Sequence, residues 1–274
     1  MPLVAAAVQM TSGESLEENL ATVEKLVRRA HARGAALVAL PENFALMASS
    51  EREKFAHAEA IDSTGQVGPV LSRLANLCRE LGIHLIAGGM PERGPDAAHV
   101  YNTCVLLGPD GAIRAAYRKI HLFDVAIPDG AVYRESATVS PGAAPVIAET
   151  PWGKLGLSVC YDLRFPELYR ALSLAGARIL VVPAAFTQHT GKDHWHVLLR
   201  ARAIENQCFV IAPGQYGRHS EKRVTYGHSL IVDPWGTVLA EAGDGEGLAV
   251  AELDFDQLER VRREVPCLGH RRIG

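Results

Sequence analysis

A cysteine, a glutamate and a lysine each stand at the end of an apolar run in this chain. All three are of types that move protons or form covalent bonds. Cys160 closes the run Gly156-Leu157-Ser158-Val159, and Tyr161-Asp162-Leu163-Arg164-Phe165-Pro166-Glu167 follows at once. A strand that gives way to polar residues and a proline-led helix puts its last side chain at the edge of a sheet, where a substrate can reach it. A thiol is a poor nucleophile until it loses its proton, because its reference pKa is about 8.5. A base can take that proton directly, and a nearby cation favours the thiolate. Glu42, behind the run Ala35–Leu40, and Lys119, behind Ala112–Arg118, are of the types that would serve. Each residue also has a plainer reading. A cysteine in an apolar run is usually buried and structural, a lysine after a strand a solvated end, and a glutamate after proline a turn residue. Spacing alone does not lift the trio far above these readings.

The elements that must position the trio follow from periodicity. Leu3–Gln9 reads as a buried strand, and Ser15 as the cap of a helix with Glu17 and Glu18 in its first turn. Leu16, Leu20, Val23, Leu26, Val27 and Ala30 recur at helical spacing up to Gly34. Ala35–Leu40 is a second strand, a helix from Val70 to Leu81 closes on Gly82, and Ile83–Ala87 is a third strand with Gly88-Gly89 behind it. Two hairpins are predicted, Tyr101–Leu107 with Ala112–Arg118 and Ser229–Val232 with Thr237–Ala240. Residues 121–144 read mostly as loop. Then come the cysteine strand, a helix over Pro166–Ala175, a strand over Arg178–Pro183, a helix over His194–Asn206, and strands at Cys208–Ala212 and Gly247–Leu253. Strands alternating with helices, later hairpins and no linker predict an α/β fold over residues 1–274 as one domain, with β layers covered by helices.

Composition narrows the function classes. At 274 residues and 48% hydrophobic content, the chain can bury a large core. A net charge of −3 with mixed signs leaves no footprint for nucleic acid or an anionic membrane surface. The N-terminus lacks the basic n-region of a signal peptide, and no apolar run approaches the ~18 residues of a membrane span. Five widely spaced cysteines without a C-x-x-C pair read as reduced thiols of a cytoplasmic protein.

Three motifs in order carry a resemblance over essentially the whole chain. Pro41-Glu42-Asn43, Tyr117-Arg118-Lys119-Ile120-His121-Leu122-Phe123-Asp124 and Val159-Cys160-Tyr161-Asp162-Leu163-Arg164-Phe165-Pro166-Glu167 are similar to the glutamate, lysine and cysteine motifs of the nitrilase superfamily of carbon–nitrogen hydrolases. The resemblance implies a four-layer α-β-β-α sandwich, a cofactor-free amidase and a homodimer paired through helices. It implies that Glu42 is the general base, that Cys160 forms a thioester, and that Lys119 and the Tyr161 N–H hold the oxyanion. It assigns Glu135 to orienting the lysine and the substrate. His189–Trp195 and Arg200–Asn206 look like the branch that cleaves ω-amides of 2-oxo acids, and Gly217–His228 is similar to its deaminated glutathione amidases. The lysine motif fits the neighbouring 2-oxoglutaramate amidases equally well.

The implied substrate is a small amide bearing carboxylates, so a cation belongs in the pocket. Arg164 is the first choice because a guanidinium grips a carboxylate bidentately. Thr190 is a weaker helper, and Arg218, Lys222 and Arg223 are candidates for a peptide-like tail. The alternatives are a hydrolase of 2-oxoglutaramate, a nitrile or an N-carbamoyl compound, a Cys–His hydrolase using His121 or His228, and a non-enzymatic binding protein. His189, His194 and His196 invite a metal reading, but no familiar ligand set completes them, and no metal is expected.

Overall fold

The computed structural model describes residues 2–48, 51–61, 68–126, 132–221 and 223–273. In chain order the first half carries β1 (Leu3–Gln9), α1 (Leu16–His31), β2 (Leu37–Ala39), α2 (Pro69–Leu81), β3 (His84–Arg93), β4 (Val100–Leu107) and β5 (Ile113–Arg118). Short strands β6 (Asp124–Ala126) and β7 (Val132–Arg134) follow, then β8 (Val146–Thr150) and β9 (Gly153–Leu157). The second half adds α3 (Pro166–Leu174), β10 (Ala177–Val181), α4 (Gln188–Asn206), β11 (Phe209–Ala212), β12 (Tyr216–Arg218), β13 (Val224–Tyr226), β14 (Leu230–Val232), β15 (Val238–Glu241), β16 (Gly247–Leu253) and α5 (Phe255–Glu264).

Two six-stranded sheets hold the fold, in the orders β16-β1-β2-β3-β4-β5 and β15-β14-β11-β10-β9-β8. Each has a parallel centre, β1-β2-β3 in one and β9-β10-β11 in the other, flanked by antiparallel strands. Side chains alternate across a strand, and β1 uses both faces. Leu3, Ala5 and Ala7 join the core shared with Leu155, Leu157, Ile179 and Val181 of the facing sheet. Ala6 and Val8 pack with Leu20, Val23 and Val27 of α1 and Leu71 and Leu74 of α2. Leu168 and Leu172 of α3 and Trp195 and Leu199 of α4 cover the second sheet. The result is the expected α-β-β-α sandwich. Among the described residues no helix is long and apolar enough to cross a membrane.

Several elements differ from the sequence expectation. β3 does not stop at Ala87 but runs on to Arg93 through a bulge at Gly88-Gly89. A Cβ on Gly88 would lie 2.2 Å from the Leu40 carbonyl oxygen, and one on Gly89 2.7 Å from both Glu42 Cγ and Asn102 Oδ1. The glycines therefore let the glutamate loop lie directly on β3. Strand β9 ends at Leu157, and Cys160 opens a 3₁₀ turn over Cys160–Arg164 instead of ending the strand. Helix α4 starts at Gln188, six residues ahead of the expected His194. Within 121–144, two short strands and a 3₁₀ turn over Glu135–Ala137 replace loop, and residues 127–131 lie outside the described residues.

Candidate active site

Both sheets present the carboxyl ends of their parallel strands to one cleft, the place where open α/β sheets bind ligands. Glu42 follows β2, Cys160 follows β9, and Ala184-Ala185 follow β10. Lys119 follows β5, and Glu135 opens the turn after β7. The structure brings Glu42, Lys119, Glu135 and Cys160 together with Tyr161, Arg164 and Thr190 around a cleft of about 820 Å³, its open mouth included.

The polar network is closed around Lys119, a fully buried lysine. Its Nζ donates to Glu42 Oε1 at 3.1 Å and to Glu135 Oε2 at 2.8 Å. Asn102 Nδ2 donates to the same two carboxylates, at 2.9 Å to Glu42 and 3.1 Å to Glu135. The Ala185 N–H donates to the other Glu42 oxygen at 3.0 Å, and the Phe123 N–H to Glu135 Oε2 at 2.7 Å. Burial alone would strip the lysine of its proton, but the Glu135 and Glu42 charges outweigh it and hold Lys119 well above the usual lysine range. Burial likewise opposes ionisation of Glu135, and the Lys119 charge, with Lys54 behind it, overcomes that and lowers its carboxyl.

Cys160 is held in a left-handed conformation, φ +50°, which a non-glycine residue adopts only where its surroundings dictate it. Its N–H donates to the Pro183 carbonyl at 2.8 Å, which pins the turn to the end of β10. Burial pushes the thiol well above its ordinary range, the Glu42 charge and hydrogen bond push the same way, and Lys119 and the Ala185 N–H oppose them. The resting sulfur is therefore a protonated thiol facing a carboxylate. That arrangement suits proton removal during attack rather than a stored thiolate. Tyr161 is the second residue of the 3₁₀ turn, where an N–H precedes the first intrahelical acceptor.

Asp162 ties the cysteine turn to the lysine loop. Its buried carboxylate accepts from the Val159 N–H and Tyr117 hydroxyl at 2.8 Å each, and from the His121 N–H at 3.1 Å. His121 Nδ1 also meets Asp162, at 2.7 Å, and its ring stacks on Phe165. His228 pairs with Glu241 instead. Neither histidine of the Cys–His alternative is thus placed on Cys160.

Arg164 lines the cleft with its guanidinium over the Phe186 ring at 5.1 Å and its Nη1 3.2 Å from His194 Nδ1. Thr190 lines the cleft from α4, its hydroxyl 2.9 Å from that of Thr187. Of the three loop cations, Arg223 lines the cleft, whereas Arg218 donates to the Ser220 and Glu221 carbonyls of its own loop, and Lys222 lies outside the described residues. Sequence reasoning passed over Asn102, Asp162 and the Ala185 N–H. Asn102 sits in a strand with no local signal of function, and a backbone N–H leaves none at all. Asp162 lay inside the cysteine motif, where its buried side chain could have been suspected.

Comparison with known proteins places this geometry in context. A family model described as carbon–nitrogen hydrolase matches residues 4–263. A protein of Synechocystis named deaminated glutathione amidase is 51% identical over 98% of both chains. The crystal structure of the Caenorhabditis elegans NitFhit protein superposes with a TM-score of 0.91 at 40% identity, covering 99% of this chain and 65% of that longer one. Saccharomyces cerevisiae Nit3, described as a member of branch 10 of the nitrilase superfamily, gives 0.87 at 35% identity, covering 97% of this chain and 94% of that one.

Proposed function

The chain belongs to the carbon–nitrogen hydrolase family of the nitrilase superfamily, and from that premise we propose that it hydrolyses the 2-oxoglutaramyl amide of deaminated glutathione to 2-oxoglutarate and cysteinylglycine. Glu42 takes the Cys160 proton as the sulfur attacks the amide carbon. The oxygen that becomes negative is met by the Lys119 ammonium and the Tyr161 N–H. Such donors are each worth about 3–4 kcal/mol of the barrier. Collapse expels the amine, which receives the proton from Glu42, and leaves a thioester on Cys160. Glu42 then takes a proton from water, the hydroxide adds to the thioester, and the thiol leaves with that proton. Glu135 and Asn102 hold Lys119 and Glu42 in place through both halves of the reaction.

The charge of the cleft is the observation that favours this substrate over 2-oxoglutaramate. Lys54, Lys119, Arg134, Arg164 and Arg223 line it against Glu42 and Glu135, a formal excess of +3 in a chain whose net charge is −3. Deaminated glutathione carries two carboxylates, one on the 2-oxo acid and one on its terminal glycine, whereas 2-oxoglutaramate carries one. Arg164, with Thr190, grips the first, and Arg223 lies on the rim as a partner for the second. A homodimer agrees with apolar side chains left exposed on Leu174 of α3, Ile204 of α4 and Trp235. A reducing cytoplasm agrees with five free cysteines.

Steady-state turnover of the two amides tests the substrate. The expected result is a kcat/KM at least about tenfold higher for deaminated glutathione, the factor that about 1.4 kcal/mol from one extra charge-assisted contact supplies. An equal or reversed preference overturns the choice while leaving the amidase reading standing.

A further inference from the structure

Away from the cleft, three side chains from different elements converge on one point. His196 of α4, His228 before β14 and Glu241 at the end of β15 place their ligand atoms within 4.8 Å of one another. His196 Nε2 lies 3.0 Å and His228 Nδ1 2.7 Å from the same oxygen, Glu241 Oε1. The imidazoles are not loose surface groups. His228 is held at φ +54°, its carbonyl accepts from Trp195 Nε1 at 2.8 Å, and its ring stacks on Tyr226 at 4.3 Å. The His196 ring meets Tyr226 and His228 edge-on.

We propose that His196, His228 and Glu241 form a binding site for a borderline divalent cation of the zinc class, separate from the catalytic cleft. Two imidazole nitrogens and one carboxylate oxygen are the donor set such ions take, with a fourth position left to water. Ligands about 2.1 Å from a tetrahedral ion stand roughly 3.4 Å apart. The present spacings around Glu241 Oε1 therefore need to open by a few tenths of an ångström. Both rings bind as neutral imidazoles, each keeping its remaining proton on the nitrogen that faces away from the ion. The sequence reading, which expected no metal, weighed His196 with His189 and His194. The fold instead pairs it with a carboxylate 45 residues distant.

The consequence reaches the cleft through short connections. Tyr226 packs against Gly191 of α4, where a Cβ would lie 2.4 Å from the Tyr226 Cβ, and its N–H donates to the carbonyl of cleft-lining Phe186. Thr225, next to it, lines the cleft. An ion at this site ties α4 to the β13–β14 segment and so fixes one wall of the pocket.

The test uses the full chain, freed of metal by a chelator and titrated with cobalt(II) chloride while visible absorption is followed, then with zinc chloride in competition. The expected result is one equivalent of cobalt with a tetrahedral spectrum lacking a sulfur-to-metal band, displaced by zinc, and a raised melting temperature. His196→Ala and Glu241→Gln should each weaken binding by at least about tenfold while leaving the amidase turnover of the metal-free enzyme within about twofold of the metal-free wild type. The glutamine keeps an acceptor for both rings, so its loss of binding reports the charge and not the fold. No saturable cobalt binding, binding unaffected by both substitutions, or a thiolate band that traces it to Cys160 or Cys267 overturns the site.

Discussion

In both the Cys160 cleft and the His196 cluster, one carboxylate oxygen serves two nitrogen groups. Glu42 Oε1 accepts from Asn102 and Lys119, and Glu241 Oε1 meets His196 and His228. They differ in what surrounds them. The Lys119 and Glu42 side chains are 2% and 5% exposed, whereas those of His196, His228 and Glu241 are 32%, 29% and 35% exposed. Out of water, a lone charge is far costlier than a paired one, so Lys119 and its carboxylates hold one another in position. That is the preorganisation an oxyanion site needs, since no solvent has to rearrange when charge develops. In the half-exposed cluster water competes for every group. Its hydrogen bonds are worth less, and the same three side chains can open around an ion.

Removing the buried cation should break this contrast most severely. Lys119→Met leaves Glu42 and Glu135 facing each other without a counter-charge, at a cost of about 3–5 kcal/mol in stability. It also removes the proposed oxyanion donor, so kcat per folded molecule is expected to fall by about 10²–10³ with little change in KM. A variant that lost affinity alone, with its melting temperature unchanged, would put Lys119 outside both roles.

A smaller effect sharpens the contrast from the side of the thiol. Burial and the Glu42 charge raise the Cys160 pKa, so the sulfur stays protonated through neutrality. The ultraviolet thiolate absorbance of the wild type minus that of Cys160→Ala should show no step below about pH 8.5, the ordinary thiol value. A step at lower pH would mean a stored thiolate and would remove the need for Glu42 as base in the first half-reaction.

Much of the fold was legible because local patterns and tertiary needs coincide. Ser15 caps α1 as its position suggests, Gly82 ends α2 with φ +65°, and β16 spans Gly247–Leu253 as read. The failures occur where tertiary contacts overrule local signals. Helix α4 runs through His189-Thr190-Gly191, where the absence of a Gly191 side chain leaves room for Tyr226. Helix α5 escaped notice since only Leu258 and Val261 are buried, too few to set a period among its charges. Strands β6, β7, β12 and β13 have three residues each, too short to show an alternation. In the site, Glu42, Lys119, Glu135 and Cys160 were reached through motifs, whereas Asn102 and the Ala185 N–H matter only through where the fold puts them. The His196 cluster was illegible for the same reason, its members being brought together by a helix, a turn and a strand.

The central claim is that Cys160 carries the acyl group through turnover. Acid-quenching the enzyme during hydrolysis of deaminated glutathione, digesting it and weighing the peptides tests this directly. The predicted result is a hydroxylamine-labile 2-oxoglutaryl adduct on the peptide containing Cys160 in the wild type, and loss of 2-oxoglutarate release in a folded Cys160→Ala variant. An adduct on another residue, or undiminished release by Cys160→Ala, would contradict it.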